Sequence, residues 1–314
     1  MYDGLINVYK EAGFTSHDVV AKLRGILHQK KIGHTGTLDP NATGVLPVCL
    51  GKGTKLCDML TDRDKEYEAT MLLGYETDTQ DMSGTILKGS AAYLDIQTVT
   101  ETILSFMGPY EQIPPMFSAL KVNGQKLCDL ARAGKTVERK PRPVEIYRIA
   151  IESIEPYEAD KLRVVMRVAC SKGTYIRTLC HDIGQKLGCG GAMASLIRTV
   201  AAGFEIKDAL TLSQIEQLVK SETLQTHIVP VEKVFEGYPA VYLSETTQKY
   251  LYNGNPFYLK DVAYMEGPSV EHMALPCVLS DGCRVRVYDS EGEFKAIYVY
   301  DLQKQLFITE KMFL

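Results

Sequence analysis

The sequence of 314 residues predicts an α+β protein that ends in a small β-rich domain. Three observations lead there. Apolar residues fall at helical spacing in some segments, as at Val19, Val20, Leu23, Ile26 and Leu27. They alternate with polar ones in others, as from Lys65 to Leu73. Both kinds of segment are interleaved up to about residue 236. After Gly237-Tyr238-Pro239 the texture changes to short runs separated by turns such as Ser290-Glu291-Gly292. The expected domains are therefore 1–236 and 237–314.

Taken in order, Leu5 to Tyr9 reads as a short strand, and Ser16 caps a helix running to about Leu27. Gly33 to Gly53 follows. It is too rich in Gly, Thr and Pro for regular structure and too apolar for a linker, so an ordered loop is expected, and ordered loops of this length tend to be functional. Lys65 to Leu73 is a strand, and Ile96 to Phe106 a helix with Thr98 or Thr100 near its cap. Gly108 to about residue 143, with Pro114-Pro115 and Pro141-Arg142-Pro143, reads as an irregular basic insertion. Val144 to Ile154 and Leu162 to Cys170 are strands. Tyr175 to Leu187 is a helix stopped by Gly188. Ala192 to Thr199 and Phe204 to Ile206 come next, then a capped helix from Ser213 to Val219. Arg284 to Asp289, Ala296 to Asp301 and Leu306 to Thr309 are the terminal strands.

Composition narrows the function classes. A hydrophobic content of 45% is enough for one large domain, or for one large and one small. No apolar run approaches the roughly 20 residues of a membrane-spanning helix, and Met1 to Lys10, with Asp3 in it, is not a signal peptide. The cytoplasm is the expected compartment. The eight cysteines form no CxxC pair and mostly have apolar neighbours, as small core residues do. Cys180, His181 and Cys189 lack a four-ligand zinc spacing, so no metal site is expected. The net charge is −4, but the charge is segregated. Ser118 to Arg148 holds eight basic residues (Lys121, Lys126, Arg132, Lys135, Arg139, Lys140, Arg142 and Arg148) against three acidic ones, a local excess of +5. From Gly237 onward seven basic residues face ten acidic ones. A basic stretch is ordinarily a solvated face; it is also the footprint of a nucleic-acid contact.

Three segments carry side chains suited to chemistry. The first is Gly33-His34-Thr35-Gly36-Thr37-Leu38-Asp39-Pro40-Asn41-Ala42-Thr43-Gly44. It is not a phosphate-cradling loop. The nearest candidate, Gly51-Lys52-Gly53, has Leu46 where the first Gly belongs and Gly53 where the hydroxyl belongs. What remains is an Asp fixed before Pro40 among glycines that let another backbone approach. An Asp-Pro taken alone is ordinarily a turn. The second is Cys170 to Thr178, where a strand ends, Gly173 turns the chain, and Tyr175 and Arg177 open a helix that can face a cleft. The third is Lys65-Glu66-Tyr67-Glu68-Ala69, with Tyr67 alternating with charged neighbours. Each taken singly has an ordinary structural explanation.

Together and in this order, these segments resemble the TruB family of tRNA pseudouridine synthases. The likeness takes in Gly4 to Ser16, Gly33 to Pro40, Lys65 to Gly84, Gln112-Ile113-Pro114-Pro115-Met116-Phe117-Ser118-Ala119-Leu120-Lys121, Gly173 to Thr178 and Gly191 to Gly203, roughly the first two thirds of the chain. Glu11 stands where the family usually has Pro, Phe117 and Cys128 replace frequent tyrosines, and Ile197 precedes Arg198 where paired arginines are common. The resemblance implies a pseudouridine-synthase catalytic domain with a mixed, mainly antiparallel sheet flanked by helices. It also implies a basic thumb inserted at about 108–143 and a C-terminal PUA-like RNA-binding domain.

The resemblance further implies the isomerisation of uridine 55 in the T-loop of tRNA, with base flipping. The glycosidic bond breaks, the uracil turns, and C5 joins C1′. Redox state is unchanged, so no cofactor is expected. By the resemblance, Asp39 is the catalytic carboxylate, as covalent nucleophile or as base at C2′. Arg177 pairs with it, and Tyr67 stacks on the uracil and helps remove the C5 proton. His34 fills the gap left by the flipped base, Tyr175 and Leu196 line the base pocket, and Lys10, Lys172 and the thumb contact phosphates. The expected partner is the tRNA T-arm, with no membrane and no obligate protein partner, and a monomer. Guide-RNA-dependent relatives of the family normally carry long terminal extensions. This chain begins almost at its first motif, which favours the stand-alone enzyme. The competing reading is a tRNA-binding or tRNA-folding chaperone without catalysis, which has no need of Asp39, Tyr67 and Arg177 together.

Overall fold

The computed structural model describes residues 1–122, 124–158, 160–267, 270–273 (backbone alone) and 279–314. Cys277 lies outside the described residues.

The chain opens with β1 (Gly4–Lys10) and α1 (Ser16–Ile26). Thr15, not Ser16, is the cap: its hydroxyl accepts the Asp18 N–H at 3.1 Å while Asp18 accepts the Thr15 N–H at 2.8 Å. β2 (Ile32–His34) and β3 (Thr43–Leu50) come from the segment expected to be irregular throughout. Pro47 is tolerated inside β3 because the strand changes neighbour there. It pairs with Ile197 and Arg198 of a later strand at Thr43 and Gly44, and with β2 from Val48 onward. A 3-10 turn over Gly51–Leu56 leads into α2 (Cys57–Thr61) and β4 (Lys65–Leu73).

The hairpin β5 (Tyr75–Thr77) and β6 (Ile86–Gly89) precedes α3 (Ile96–Leu104). That helix is capped by Asp95, with Thr98 supplying the N–H rather than the cap. β7 (Gly108–Gln112) is a sheet strand where irregular chain was expected, so the excursion proper begins after Gln112. It holds the small hairpin β8 (Lys121–Val122) and β9 (Gln125–Lys126), then α4 (Leu127–Arg132). β10 (Arg142–Tyr157), β11 (Lys161–Cys170), α5 (Ile176–Leu187), β12 (Gly191–Ala201), β13 (Phe204–Glu205) and α6 (Leu212–Lys220) complete the larger unit.

The main sheet runs β1-β3-β12-β4-β11-β10-β7, with β2 on β3 and β13 on β12. Every pairing is antiparallel except β12 with β3, so the sheet is mixed and mainly antiparallel. α3 and α5 cover a core that includes Met71, Val99, Ile103, Met166, Val168, Leu179 and Ile183. α1 and α6 cover another that includes Ile6, Val8, Val19, Leu23, Leu46 and Ile215. α5 lies close on the sheet because Gly184 meets Gly191: a Cβ on Gly184 would stand 2.0 Å from the Gly191 nitrogen.

A second sheet follows, from β14 (Ala240–Leu243), α7 (Gln248–Tyr252), β15 (Phe257–Tyr258), β16 (Val262–Gly267), β17 (Val270–Met273), β18 (Arg284–Tyr288), β19 (Phe294–Asp301) and β20 (Leu306–Met312). Its order is β15-β20-β19-β18-β14-β16-β17, the β-rich C-terminal unit the turn spacing predicts. Leu5, Cys49, Leu56, Leu60, Phe235, Ile297 and Phe313 form one buried cluster that joins the two sheets.

Candidate active site

The loop between β2 and β3 has little regular structure, yet its backbone is held at many points. Lys10 Nζ donates to the carbonyls of Glu11 (3.1 Å), Pro40 (3.0 Å) and Ala42 (2.6 Å). The Ser16 hydroxyl accepts the Leu38 N–H at 3.0 Å, and the Gly13 N–H donates to the Pro40 carbonyl at 3.0 Å. Arg198 reaches from β12, its Nε donating to the Val45 carbonyl at 2.7 Å and its Nη2 to the Gly36 carbonyl at 3.3 Å. Gly44, at φ +104°, lets β3 touch β12. Any Cβ there would lie 2.3 Å from the Arg198 carbonyl oxygen. The outcome is a rigid loop that presents Asp39.

Asp39 meets Arg177, the second residue of α5, at the wall of a cavity of about 240 Å³. Arg177 is nearly fully buried. Its Nη2 lies 3.5 Å from Asp39 Oδ2 and donates to the Phe117 carbonyl at 2.7 Å, while Nη1 lies 3.8 Å from Asp81 Oδ2. Tyr67, Tyr175, Leu196, Met193, Phe117 and Arg198 are among the other walls. Tyr67 sits mid-sheet on β4, directly opposite Val168 of β11 and Arg198 of β12. Tyr175 is the residue before α5. Its N–H and carbonyl are both bonded to the Gln112 side chain, at 2.8 and 3.0 Å, and its ring lies 5.8 Å from the Arg177 guanidinium. Phe117 and Ser118 bring the inserted segment over the cavity. A second cavity of about 420 Å³ adjoins it, sharing Asp39, Arg177 and Leu196 and reaching Asp81 and Arg132.

Electrostatics at the site follow from burial and neighbours. The protein around Asp39 raises its pKa above the ordinary carboxylate value; Arg177 opposes this, Asp81 adds to it, and Lys10 opposes it. Arg177 therefore favours ionisation, but the balance at Asp39 is upward. Burial raises the Tyr67 phenol, with Arg198, hydrogen-bonded to it, pulling the other way. Burial also raises Tyr175. Burial, His17 and Arg198 lower His34, so its imidazole is neutral at neutral pH. Lys10 and Lys65 are both lowered by burial to about 8.

The structure thus brings Asp39, Tyr67, Arg177, Tyr175 and Leu196 to one cavity. His34 stands outside it on β2, its ring edge-on to His17 at 5.2 Å between centroids and its Nδ1 accepting the Gly36 N–H at 3.3 Å. Lys172 is exposed and paired with Asp62 at 2.8 Å, in a neighbouring depression shared with Arg142 and Tyr175. Lys10 corrects the sequence expectation. It is fully buried with its ammonium bonded to three carbonyls, so it braces the Asp39 loop and has no proton left for a phosphate. Asp81 and Arg198 were missed as site residues. Asp81 has no signal in its polar turn. Arg198 was noted only for lacking a paired arginine. Among the described residues, no group of three or more His, Cys, Asp or Glu side chains could hold a metal ion, and no helix is long and apolar enough to cross a membrane.

Comparison with known proteins places these features. The family profile described as TruB family pseudouridylate synthase (N terminal domain) matches residues 24–176, and that of the tRNA pseudouridylate synthase B C-terminal domain matches 177–236. A protein of Lachnoclostridium phytofermentans named tRNA pseudouridine synthase B is 51% identical over 99% of this chain and 100% of its own. One of Staphylococcus haemolyticus with the same name is 48% identical over 82% of this chain and 86% of its own. Among solved structures, a Cbf5-Nop10-Gar1 complex matches with TM-score 0.70 and 28% identity, covering 99% of this chain and 85% of that one. An H/ACA RNP bound to a substrate RNA containing 2′-deoxyuridine matches with TM-score 0.68 and 26% identity, covering 99% and 85%.

Proposed function

This chain belongs to the TruB family of pseudouridylate synthases, and from that premise we propose that it converts uridine 55 in the T-loop of tRNA to pseudouridine through the carboxylate of Asp39. The protein is an isomerase acting on tRNA. The observation that carries the reading of the site is the Asp39–Arg177 pair, at 3.5 Å, facing a cavity walled by Tyr67, Tyr175 and Leu196.

The reaction moves C1′ of the ribose from N1 to C5 of the same uracil. The base is stacked in the folded T-arm and must first leave the stack, at a cost of a few kcal/mol. The aromatic and apolar walls offset that cost by covering the extruded ring. Neutral His34 replaces the base in the stack. Ionised Asp39 either attacks C1′, expelling uracil through N1, or takes the C2′ proton so that the elements of uracil leave as a glycal forms; both begin from the same oxygen atoms. Uracil then turns against Tyr67, and C5 bonds to C1′ as the Asp39–C1′ ester bond breaks or, on the glycal route, as Asp39 returns its proton to C2′. C5 loses its proton, with Tyr67 beside it to assist, and N1 gains one, so the ring is restored and Asp39 is again a free carboxylate. Atoms are only rearranged, so no cofactor is required. Lys172 and the thumb lysines and arginines hold phosphates, which confers affinity rather than base identity.

Residues 1–236 form the catalytic domain in this reading and 237–314 the PUA-like RNA-binding domain. We further propose that the enzyme works as a monomer in the cytoplasm without an obligate protein partner. Purified protein incubated with unmodified tRNA and no additive yields pseudouridine at position 55 alone. Modification at another uridine refutes the position, and no modification refutes the activity.

A further inference from the structure

Charge counts along the chain single out the thumb, but folding assembles a second cationic face that no stretch of sequence contains. Lys31 precedes β2, Lys52 and Lys55 lie in the 3-10 turn, and Lys311 lies near the end of β20. The Gly51 N–H donates to the Lys31 carbonyl at 2.9 Å, tying the first two segments together. Leu56 and Phe313 pack in one buried cluster, which sets Lys311 beside the turn. Arg24 adjoins, its Nε donating to the Lys30 carbonyl at 3.1 Å and its Nη2 to the Ile32 carbonyl at 3.3 Å. Lys31 and Lys52 are exposed, Lys55 and Lys311 half-buried. Burial and the charges of Lys31, Lys52 and Lys311 hold the Lys55 ammonium below its ordinary value.

Among the described residues, these lysines and Arg24 make no ion pair, whereas Lys207, Lys220, Lys233 and Lys304 each have a carboxylate within 4 Å. Asp3 and Asp58 border the face, and Asp3 already accepts the Lys52 N–H at 2.6 Å. Unpaired like charges on one face of a chain of net charge −4 repel one another until a polyanion covers them. β2 leads from Lys31 to His34 in three residues, a rise of roughly 10 Å, so the lysines lie within one strand's length of the residue assigned to the vacated base stack. We propose that Lys31, Lys52, Lys55 and Lys311, rimmed by Arg24 and Lys30, bind the phosphate backbone of the tRNA beyond the T-arm that occupies the active site. This rests on the reading of the chain as a tRNA enzyme.

The test is binding of full-length tRNA and of an isolated T-arm hairpin across a salt series. It compares wild type, the Lys31→Gln, Lys52→Gln, Lys55→Gln, Lys311→Gln variant, and a control with Gln at Lys207, Lys220, Lys233 and Lys304. For full-length tRNA the first variant shows a slope of log affinity against log salt shallower by roughly 2 to 4, since each phosphate contact contributes about 0.7–0.9. Its affinity falls roughly tenfold or more, while hairpin binding and the single-turnover rate at saturating tRNA stay as in wild type. An unchanged slope overturns the proposal. So does an equal change in the control, or an equal loss with the hairpin. If wild type binds tRNA but makes no pseudouridine, the reading of the active site fails while the slopes still decide this face.

Discussion

Asp39 sits between opposing influences: the protein around it favours the neutral acid, and Arg177 favours the carboxylate. Since either chemical route needs the ionised form, the rate falls as pH drops through the Asp39 pKa. Removing the guanidinium takes away an influence that lowers this pKa, so the acid limb of the profile moves to higher pH. In Arg177→Met we expect a loss of about a hundredfold or more in single-turnover rate, the scale of losing a preorganised charge partner, together with that upward displacement. A slower enzyme whose acid limb stays in place would mean that Arg177 only shapes the pocket. Asp39 and Arg177 were legible because each stands at a local break in pattern, a Gly-rich loop and a strand-to-helix junction. Lys10 was misread because a lysine at a strand end ordinarily reaches solvent. Only the fold reveals the three carbonyls that keep it inside.

At the scale of elements, periodicity located β1, α1, β4, α3, β10, β11 and α5 to within a few residues. It failed where tertiary pairing overrides local preference. β3 contains Pro47, and β7 begins Gly108-Pro109; both are strands because neighbours supply hydrogen-bond partners around the proline. The short strands β14 to β17 gave no pattern long enough to read. The parallel junction of β3 with β12 holds the Asp39 loop and Arg198 together, and it depends on Gly44. Gly44→Ala forces a β-carbon onto the Arg198 backbone at a left-handed φ. Thermal and urea unfolding should show a loss of about 3 kcal/mol or more, beyond what ordinary substitutions produce, with activity reduced alongside. Stability within about 0.5 kcal/mol of wild type would mean that the two strands are not pressed together there.

For the whole molecule, the sequence conveyed the order of units and the segregation of charge, but not how they meet. The apolar cluster from Leu5 to Phe313 and the lysine face beside it combine residues from both ends of the chain. The thumb, in contrast, was visible because its charges are consecutive. In the proposed reading both cationic surfaces hold the tRNA, and the chemistry rests on one carboxylate. The most direct test replaces a single oxygen of that group with nitrogen. Asp39→Asn, which keeps shape and removes charge, should bind tRNA within about threefold of wild type and form no pseudouridine when the RNA is mapped after prolonged single-turnover incubation. Pseudouridine formed at the wild-type rate by Asp39→Asn would contradict the assignment of Asp39.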